Sequence, residues 1–503
     1  MKKIYSYVFA TVAIFATVAC NKENAEKGVN APVHEVPADA VEKTFPASLT
    51  YAEPVAKTTI SGKTSLWSGT ENIAVLGNYY YKFTATLDTP SASAEFSCAS
   101  YSAGETAVLA VYPHADNYTY NLANKTVSNV VIPTQQYAPA GSYDPAAHIA
   151  VAYSDGGEVL EFKNAVALFK FTCNAENISK VCLYADESKG DCVTGKGTLS
   201  YNNGEPTFTS STKKHWVDVY PEKGKTTFTV GNTYYFAVAP GTYANGFTFE
   251  ITTGGNNIAY KKTTKSQNFA SGLLFDLGEI VQKKVYLRPG IWADAKAWFF
   301  AHFFEGSVSE VDVKMSDPDG DGILEATVPF GLGKVIFVRM NPEATTIDWN
   351  KKWNESAQLA LPTGTSVCYS VNDWNSMKWE TLDEARKSML YLKPNSNWTQ
   401  GSARFAAYFF KDGGGNSWRT MTDWNKDGIY EVSKPTSNNT KMIFCRMNPN
   451  NNDNRWNNND EGDSKPQWNK TGDLTIPTDG KNLFTLPNNS WDGATTTWSK
   501  KTF

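Results

Sequence analysis

Ile336-Phe337-Val338-Arg339-Met340-Asn341-Pro342 returns later in the chain as Ile443-Phe444-Cys445-Arg446-Met447-Asn448-Pro449. The match continues on both sides. Upstream, Ala301-His302-Phe303-Phe304 aligns with Ala407-Tyr408-Phe409-Phe410, and Tyr286-Leu287-Arg288-Pro289 followed by Trp292 aligns with Tyr391-Leu392-Lys393-Pro394 followed by Trp398. Between these lie Asp317-x-Asp319-x-Asp321-Gly322-Ile323-x-Glu325 and its counterpart Asp423-x-Asn425-x-Asp427-Gly428-Ile429-x-Glu431. Downstream, Trp353-Asn354 meets Trp468-Asn469, and the blocks close on Trp374 and Trp379 against Trp491 and Trp498. So many side chains in register, with gaps only where Gly, Asn and Ser gather, imply a duplicated domain with loop insertions. The copies are assigned to residues 284–382 and 389–503, with a short, helix-prone linker between Glu380 and Met389.

Ahead of the repeat, Thr44 to Val281 is a succession of short alternating or β-branched runs. Examples are Asn72 to Leu76, Ala107 to Tyr112, Glu158 to Thr172, Tyr234 to Ala239 and Phe247 to Thr252, each bounded by Gly, Asn, Pro or Asp. Such spacing argues for antiparallel sandwiches, assigned to residues 44–165 and 166–283. The expected fold class is all-β, a string of antiparallel β-sandwiches. With 503 residues, 41% hydrophobic and 19% charged, the chain is long enough for three or four such domains. A net charge of -4 gives no basic footprint, so nucleic acid is set aside as a partner.

Residues 1–19 read as an address. Lys2-Lys3 precede an apolar run, Ile4 to Val18, too short for a comfortable membrane span, and Ala19-Cys20 follows. The arrangement resembles the bacterial lipoprotein signal, which implies that Thr17-Val18-Ala19-Cys20 is the lipobox and Cys20 the lipidated first residue of the mature protein. Several acyl chains on one residue give lasting membrane anchorage. Residues 20–43, rich in Ala, Glu, Lys, Val and Pro and lacking aromatics, suit a solvated tether. The expected location is the outer membrane, lipid-anchored, at the cell surface; Glu23 and Glu26 bear a slight likeness to the acidic export signal of Bacteroidetes. Cys98, Cys173, Cys182, Cys192, Cys368 and Cys445 lack metal-site spacing and read mostly as buried thiols, with a Cys182–Cys192 bridge left open.

Two resemblances add to this reading. Trp67-Ser68-Gly69, Ile73-Ala74-Val75, Ala110-Val111-Tyr112-Pro113, Ile132-Pro133-Thr134-Gln135-Gln136, Leu160-Glu161-Phe162-Lys163-Asn164-Ala165, Tyr235-Phe236-Ala237-Val238-Ala239-Pro240-Gly241 and Leu277-Gly278-Glu279-Ile280 resemble the fimbrillin-like lipoproteins of Bacteroidetes. The resemblance covers residues 44 to 282 and implies two transthyretin-like sandwiches in series. It also implies donor-strand polymerisation after cleavage, often at arginine. No arginine precedes Arg288 here, and a subunit carrying two further domains suits a tip or a stand-alone role better than a shaft.

In the second copy, Tyr408-Phe409-Phe410, Trp418, Met421, Ile443-Phe444 and Lys470-Thr471-Gly472-Asp473-Leu474 resemble the starch-binding modules appended to amylases. That likeness implies immunoglobulin-like modules in which Tyr408 and Trp418 form an aromatic platform for an α-1,4-glucan. Lys470 would stand where the family has a glutamine, keeping donors and losing an acceptor. The first copy departs: His302 takes the place of Tyr408, and the slot of Trp418 falls near Asp312.

The residues themselves point the same way. All but Trp67 and Trp216 of the 15 tryptophans lie at or after Trp292. Flat rings beside Asn, Lys and Gln suit sugars, whose C–H faces stack on aromatics while hydroxyls meet polar groups. Trp349 and Trp456, in the Asn-rich loops, and Trp353 and Trp468, which follow them, complete the candidate carbohydrate-binding set with Tyr408, Trp418, Lys470 and His302. Core or rim packing is favoured for Trp292/Trp398, Trp374/Trp491 and Trp379/Trp498.

The Asp-rich turns begin like an EF-hand loop, but the twelfth position is Val328 in one copy and Lys434 in the other. A tight turn between strands explains Asp-Gly, and no metal or other cofactor is assigned. Catalytic motifs are absent, and His34, His114, His148, His215 and His302 are scattered. The expectation is a non-enzymatic, membrane-anchored protein that captures starch-like α-glucan polysaccharide for outer-membrane glycan-uptake partners. The alternative is a fimbrial tip or accessory adhesin; a hydrolase ranks third.

Overall fold

The computed structural model describes residues 34–50, 67–156, 158–306, 310–457, 460–493 and 496–503. The address segment and Cys20 lie outside them. The chain is all-β: strands carry both compact units, residues 1–280 and 281–503, and the few helices are short. No helix among the described residues is long and apolar enough to cross a membrane.

In the first unit, strand Ala40–Thr50 begins inside the expected tether and buries Phe45 and Ala47 on one face. It pairs antiparallel with Ser93–Ser102 and parallel with Leu160–Asn164. With Ala150–Asp155, Ala107–Tyr112, Trp67–Leu76 and Tyr80–Ser91, these strands close into a barrel. Its centre is Trp67, whose ring takes Phe96, Tyr112 and Phe162 edge-on, at centroid distances of 5.0, 5.1 and 5.7 Å.

The expected boundary between Ala165 and Val166 separates no compact bodies. Thr126–Ile132 leaves the first half to pair with Thr194–Asn202, and Gln135–Ala138 lies parallel to Trp216–Pro221. Gln136 secures the exchange: its fully buried amide donates to the Ala237 carbonyl at 2.7 Å and accepts from the Ala237 N–H at 2.9 Å. The six described cysteines are free thiols, so no Cys182–Cys192 bridge forms.

In the second unit each repeat is a two-sheet sandwich. The first has Leu324–Thr327, Lys284–Arg288, Cys368–Asp373 and Ser376–Glu380 facing Val311–Lys314, Trp298–Phe304, Lys334–Met340 and Lys352–Glu355. The second repeats this order with Tyr430–Ser433, Met389–Lys393, Leu483–Thr485 and Trp498–Ser499 facing Ser417–Thr420, Arg404–Phe410, Lys441–Met447 and Gln467–Lys470. Strand alternation sorts the side chains. Phe405, Ala407, Phe409, Met442 and Phe444 face inward onto Trp398, whereas Ala406, Tyr408, Phe410, Ile443 and Cys445 form the outer face.

The linker is helical over Leu382–Lys387, opened by a capping box between Thr381 and Glu384. It does not leave the repeats free. Ile323, Met389 and Tyr391 share a buried cluster, and the Tyr391 hydroxyl donates to the Asp321 carbonyl at 2.8 Å.

Candidate functional site

The outer sheet face of the second repeat gathers four of the candidate residues. Tyr408 and Trp418 are directly opposite each other across the strand pair Arg404–Phe410 and Ser417–Thr420. Their ring centroids are 5.0 Å apart, and Trp456 descends from the Asn-rich loop to within 4.9 Å of Tyr408 and 4.7 Å of Trp418. All three rings are half-buried. Lys470 is exposed, with its ammonium 5.1 Å from the Trp456 ring centre.

The three planes are inclined to one another by 54° to 66°, so they present separate faces and edges rather than one flat strip. Beneath them Ala406, Ile443, Cys445 and Met447 form a fully packed floor. Burial pushes the Cys445 thiol up, which leaves it an inert apolar filler. The Trp456 loop is fixed from below: Asn457 donates to the Gln467 carbonyl and accepts from the Gln467 N–H, and Arg404 donates to the carbonyls of Asn448, Asn451 and Asp453.

The first repeat builds the same face differently. His302 and Asp312 occupy the paired positions of Tyr408 and Trp418, and His302 Nδ1 lies 2.7 Å from the Asp312 carboxylate. Trp349 covers the imidazole edge-on at 4.9 Å and donates its indole N–H to the same Asp312 at 3.3 Å. His302 is buried beneath that ring, so here the histidine holds the loop tryptophan in place.

Trp353 and Trp468 belong elsewhere. Each stacks on an arginine that shares its strand's inward parity: the Arg339 guanidinium is 4.7 Å from the Trp353 ring centre and 5.8 Å from that of Trp374. In the second copy Arg446 is 4.5 Å from Trp468 and 5.9 Å from Trp491. The arginines are anchored by carbonyls. Arg339 donates to Trp292 and Asp294 and to the Asn354 side chain; Arg446 donates to Trp398 and Gln400 and to the Asn469 side chain.

Trp292 and Trp398 are core residues as expected, and Trp379 and Trp498 pack half-buried against the same cores. Trp374 and Trp491 stand 49% and 45% exposed against the arginines at the sandwich ends, and the Trp491 carbonyl accepts from the Trp398 indole N–H at 3.1 Å. The shared Arg-Met-Asn-Pro motif was the sequence signal for this pairing, but strand parity alone hides it because the arginine points toward the core side at the open end of the sandwich.

Neither a family model nor a curated protein matches the chain. Among solved structures it is similar to a candidate cell adhesion protein from Bacteroides ovatus, at 12% identity and a TM-score of 0.31 over 48% of this chain and 92% of that one. A candidate cell adhesion protein from Bacteroides uniformis gives 14% identity and a TM-score of 0.30 over 49% and 94%. The tip fimbrial protein Mfa3 from Porphyromonas gingivalis gives 9% identity and a TM-score of 0.23 over 55% and 99%. At such scores the overlap is loose, and the functional reading rests on the residues themselves.

Proposed function

We propose that the protein is a non-catalytic, cell-surface adhesin that binds carbohydrate through the outer sheet face of its second C-terminal repeat, with starch-like α-glucan the favoured ligand. The role is of the kind named for the loosely similar structures. What supports it is one observation: Tyr408, Trp418 and Trp456 converge half-exposed on one sheet face with the Lys470 ammonium beside them. An aromatic face takes the C–H side of a sugar ring, and the ammonium donates to its hydroxyls. Inclined rings suit a curved chain better than a flat one, since successive sugars of an α-glucan turn. Cys20 lipidation, on this reading, holds the protein at the outer membrane.

Affinity electrophoresis of the full chain through amylopectin tests the proposal. The expected result is retardation, lost in Trp418→Ala and in Trp456→Ala. Unretarded protein that also ignores a broad panel of immobilised glycans would sink the carbohydrate reading and leave a protein target for the adhesin. Release of reducing ends from starch would overturn the non-catalytic part.

A further inference from the structure

Glu431 is 3% exposed, and neither of its carboxylate oxygens has a hydrogen-bond partner. A buried carboxylate in that state is among the costliest arrangements a folded chain holds, unless a positive charge meets it. The first repeat shows how the position is ordinarily satisfied. There the equivalent Glu325 accepts from the Lys284 ammonium at 2.6 Å. Strand pairing makes Met389 the counterpart of Lys284, because Tyr286 faces Glu325 just as Tyr391 faces Glu431. The second repeat therefore kept the acid and replaced its lysine with a thioether.

Glu431 is not isolated. Asp423, Asp427 and Glu431 each place a carboxylate oxygen within 4.8 Å of the others. Two oxygens bound to one calcium ion, at about 2.4 Å each, are at most about 4.8 Å apart, so the spacing of the three meets the first requirement for sharing one ion. The turn is fixed by its own side chains: the Asp423 carboxylate accepts from the Asp427 and Gly428 N–H groups at 3.0 Å each, Asp427 accepts from the Ile429 N–H at 2.7 Å, and Gly428 takes a φ of 82°.

We propose that Asp423, Asp427 and Glu431 form a site for one divalent, oxygen-seeking cation, calcium by preference, at the seam between the two repeats. The donor set is all carboxylate, with neither histidine nor cysteine, which selects calcium over zinc or copper. Burial, and after it the Asp317 carboxylate across the seam, push the Glu431 carboxyl up.

The neighbouring cations meet the cluster only in part. The Lys501 ammonium donates to the Gly320 carbonyl, forms a long ion pair with Asp427 at 3.7 Å and lowers the Glu431 carboxyl by its charge, but hydrogen-bonds neither Glu431 oxygen. Arg386 is committed to Asp319 and Asp321, at 2.9 and 2.6 Å, which satisfies the acidic turn of the first repeat and not that of the second. The EF-hand comparison by sequence fails at the twelfth position because here the third carboxylate comes from the ninth. The inference is independent of the carbohydrate reading, since the cluster shares no residue with the aromatic face.

Terbium(III) tests the site on the full chain, because Trp424 adjoins Asp423 and can sensitise its emission. Saturable terbium emission is expected, reversed by calcium and weakened at least tenfold in affinity by Asp423→Asn and by Glu431→Gln. Both substitutions remove charge from an acidic cluster, so folded protein is expected, and a melting temperature higher in calcium than in EDTA for the unaltered chain alone is the second readout. Absence of saturable emission, or emission that survives both substitutions together with equal melting in calcium and EDTA, overturns the proposal.

Discussion

His302 and Tyr408 occupy the same place on the same strand of two copies of one domain, yet their surroundings are opposite in character. Around Tyr408 the partner across the strands is Trp418, and the loop tryptophan joins it, so the face is aromatic and half-open. Around His302 the partner is Asp312, which takes both the imidazole and the Trp349 indole N–H and closes the face with polar bonds. The same contrast recurs at the seam. Glu325 has a lysine; Glu431 has a methionine at the matching place and three carboxylates nearby. What does not differ is the arginine held between two tryptophans. Duplication thus preserved the element that shapes the sandwich end and let the two outer surfaces diverge.

The preserved element carries the largest expected effect. Arg446 is 8% exposed and Arg339 is 7% exposed, and each donates to two backbone carbonyls and one asparagine while separating two rings. Replacing either with alanine takes the donor from one buried and one part-buried carbonyl and removes the cation from both indoles, a loss of about 3 kcal/mol. Urea unfolding of the full chain, followed by tryptophan emission, reports this unit because only Trp67 and Trp216 lie ahead of it. Similar costs for Arg339→Ala and Arg446→Ala are expected. A cost confined to one of them would break the equivalence of the two frames.

The outer faces give the next effect. Trp418→Ala is expected to weaken glucan binding at least tenfold, which corresponds to about 1.4 kcal/mol, since a stacking ring and the side of the Tyr408–Trp456 cluster are lost together. His302→Ala is expected to leave glucan retention unchanged while lowering stability by about 1 kcal/mol, through the loss of the Asp312 bond and the contact with Trp349. Retention lost on the histidine change and kept on the tryptophan change would reverse the assignment of the binding repeat.

Much of this was legible in the residues. The repeat put the Trp418 slot near Asp312 before any strand was placed, strand register then made the match exact, and alternation alone sends Tyr408 outward and Phe409 inward. The loop position of Trp456 beside the other rings followed from neither spacing nor period, because Arg404 and Asn457 set the loop through long-range bonds. For the same reason Trp468 could not be parted from Trp456 by sequence: a bulge between Arg446 and Met447 displaces it from the regular register. In the first unit the period-2 runs fall on strands, although Glu158–Thr172 covers two of them, Leu160–Asn164 and Ala167–Asn174, in different sheets; the pairing of Thr126–Ile132 with Thr194–Asn202 and the closure of the barrel depend on contacts remote in sequence. The start of the first strand at Ala40 was hidden because Glu42 and Lys43 lend that stretch the polarity of a tether.

The smallest effects are the most discriminating, because one chemical change at equivalent positions should move stability in opposite directions. Glu325→Gln breaks a half-exposed ion pair with Lys284, where solvent screens the attraction, and a loss of no more than about 1 kcal/mol is expected. Glu431→Gln in EDTA removes a buried carboxyl that has no partner and supplies an amide N–H that can donate to the surrounding aspartates, so a gain of about 1 kcal/mol is expected. In calcium the second result should reverse, since the substituted chain forgoes the ion that the unaltered chain binds. Denaturant melts of both variants in EDTA and in calcium make the comparison. A loss of stability for Glu431→Gln even in EDTA would mean that Lys501 already neutralises the carboxylate, and the seam of the second repeat would then differ from that of the first only in which lysine does the work.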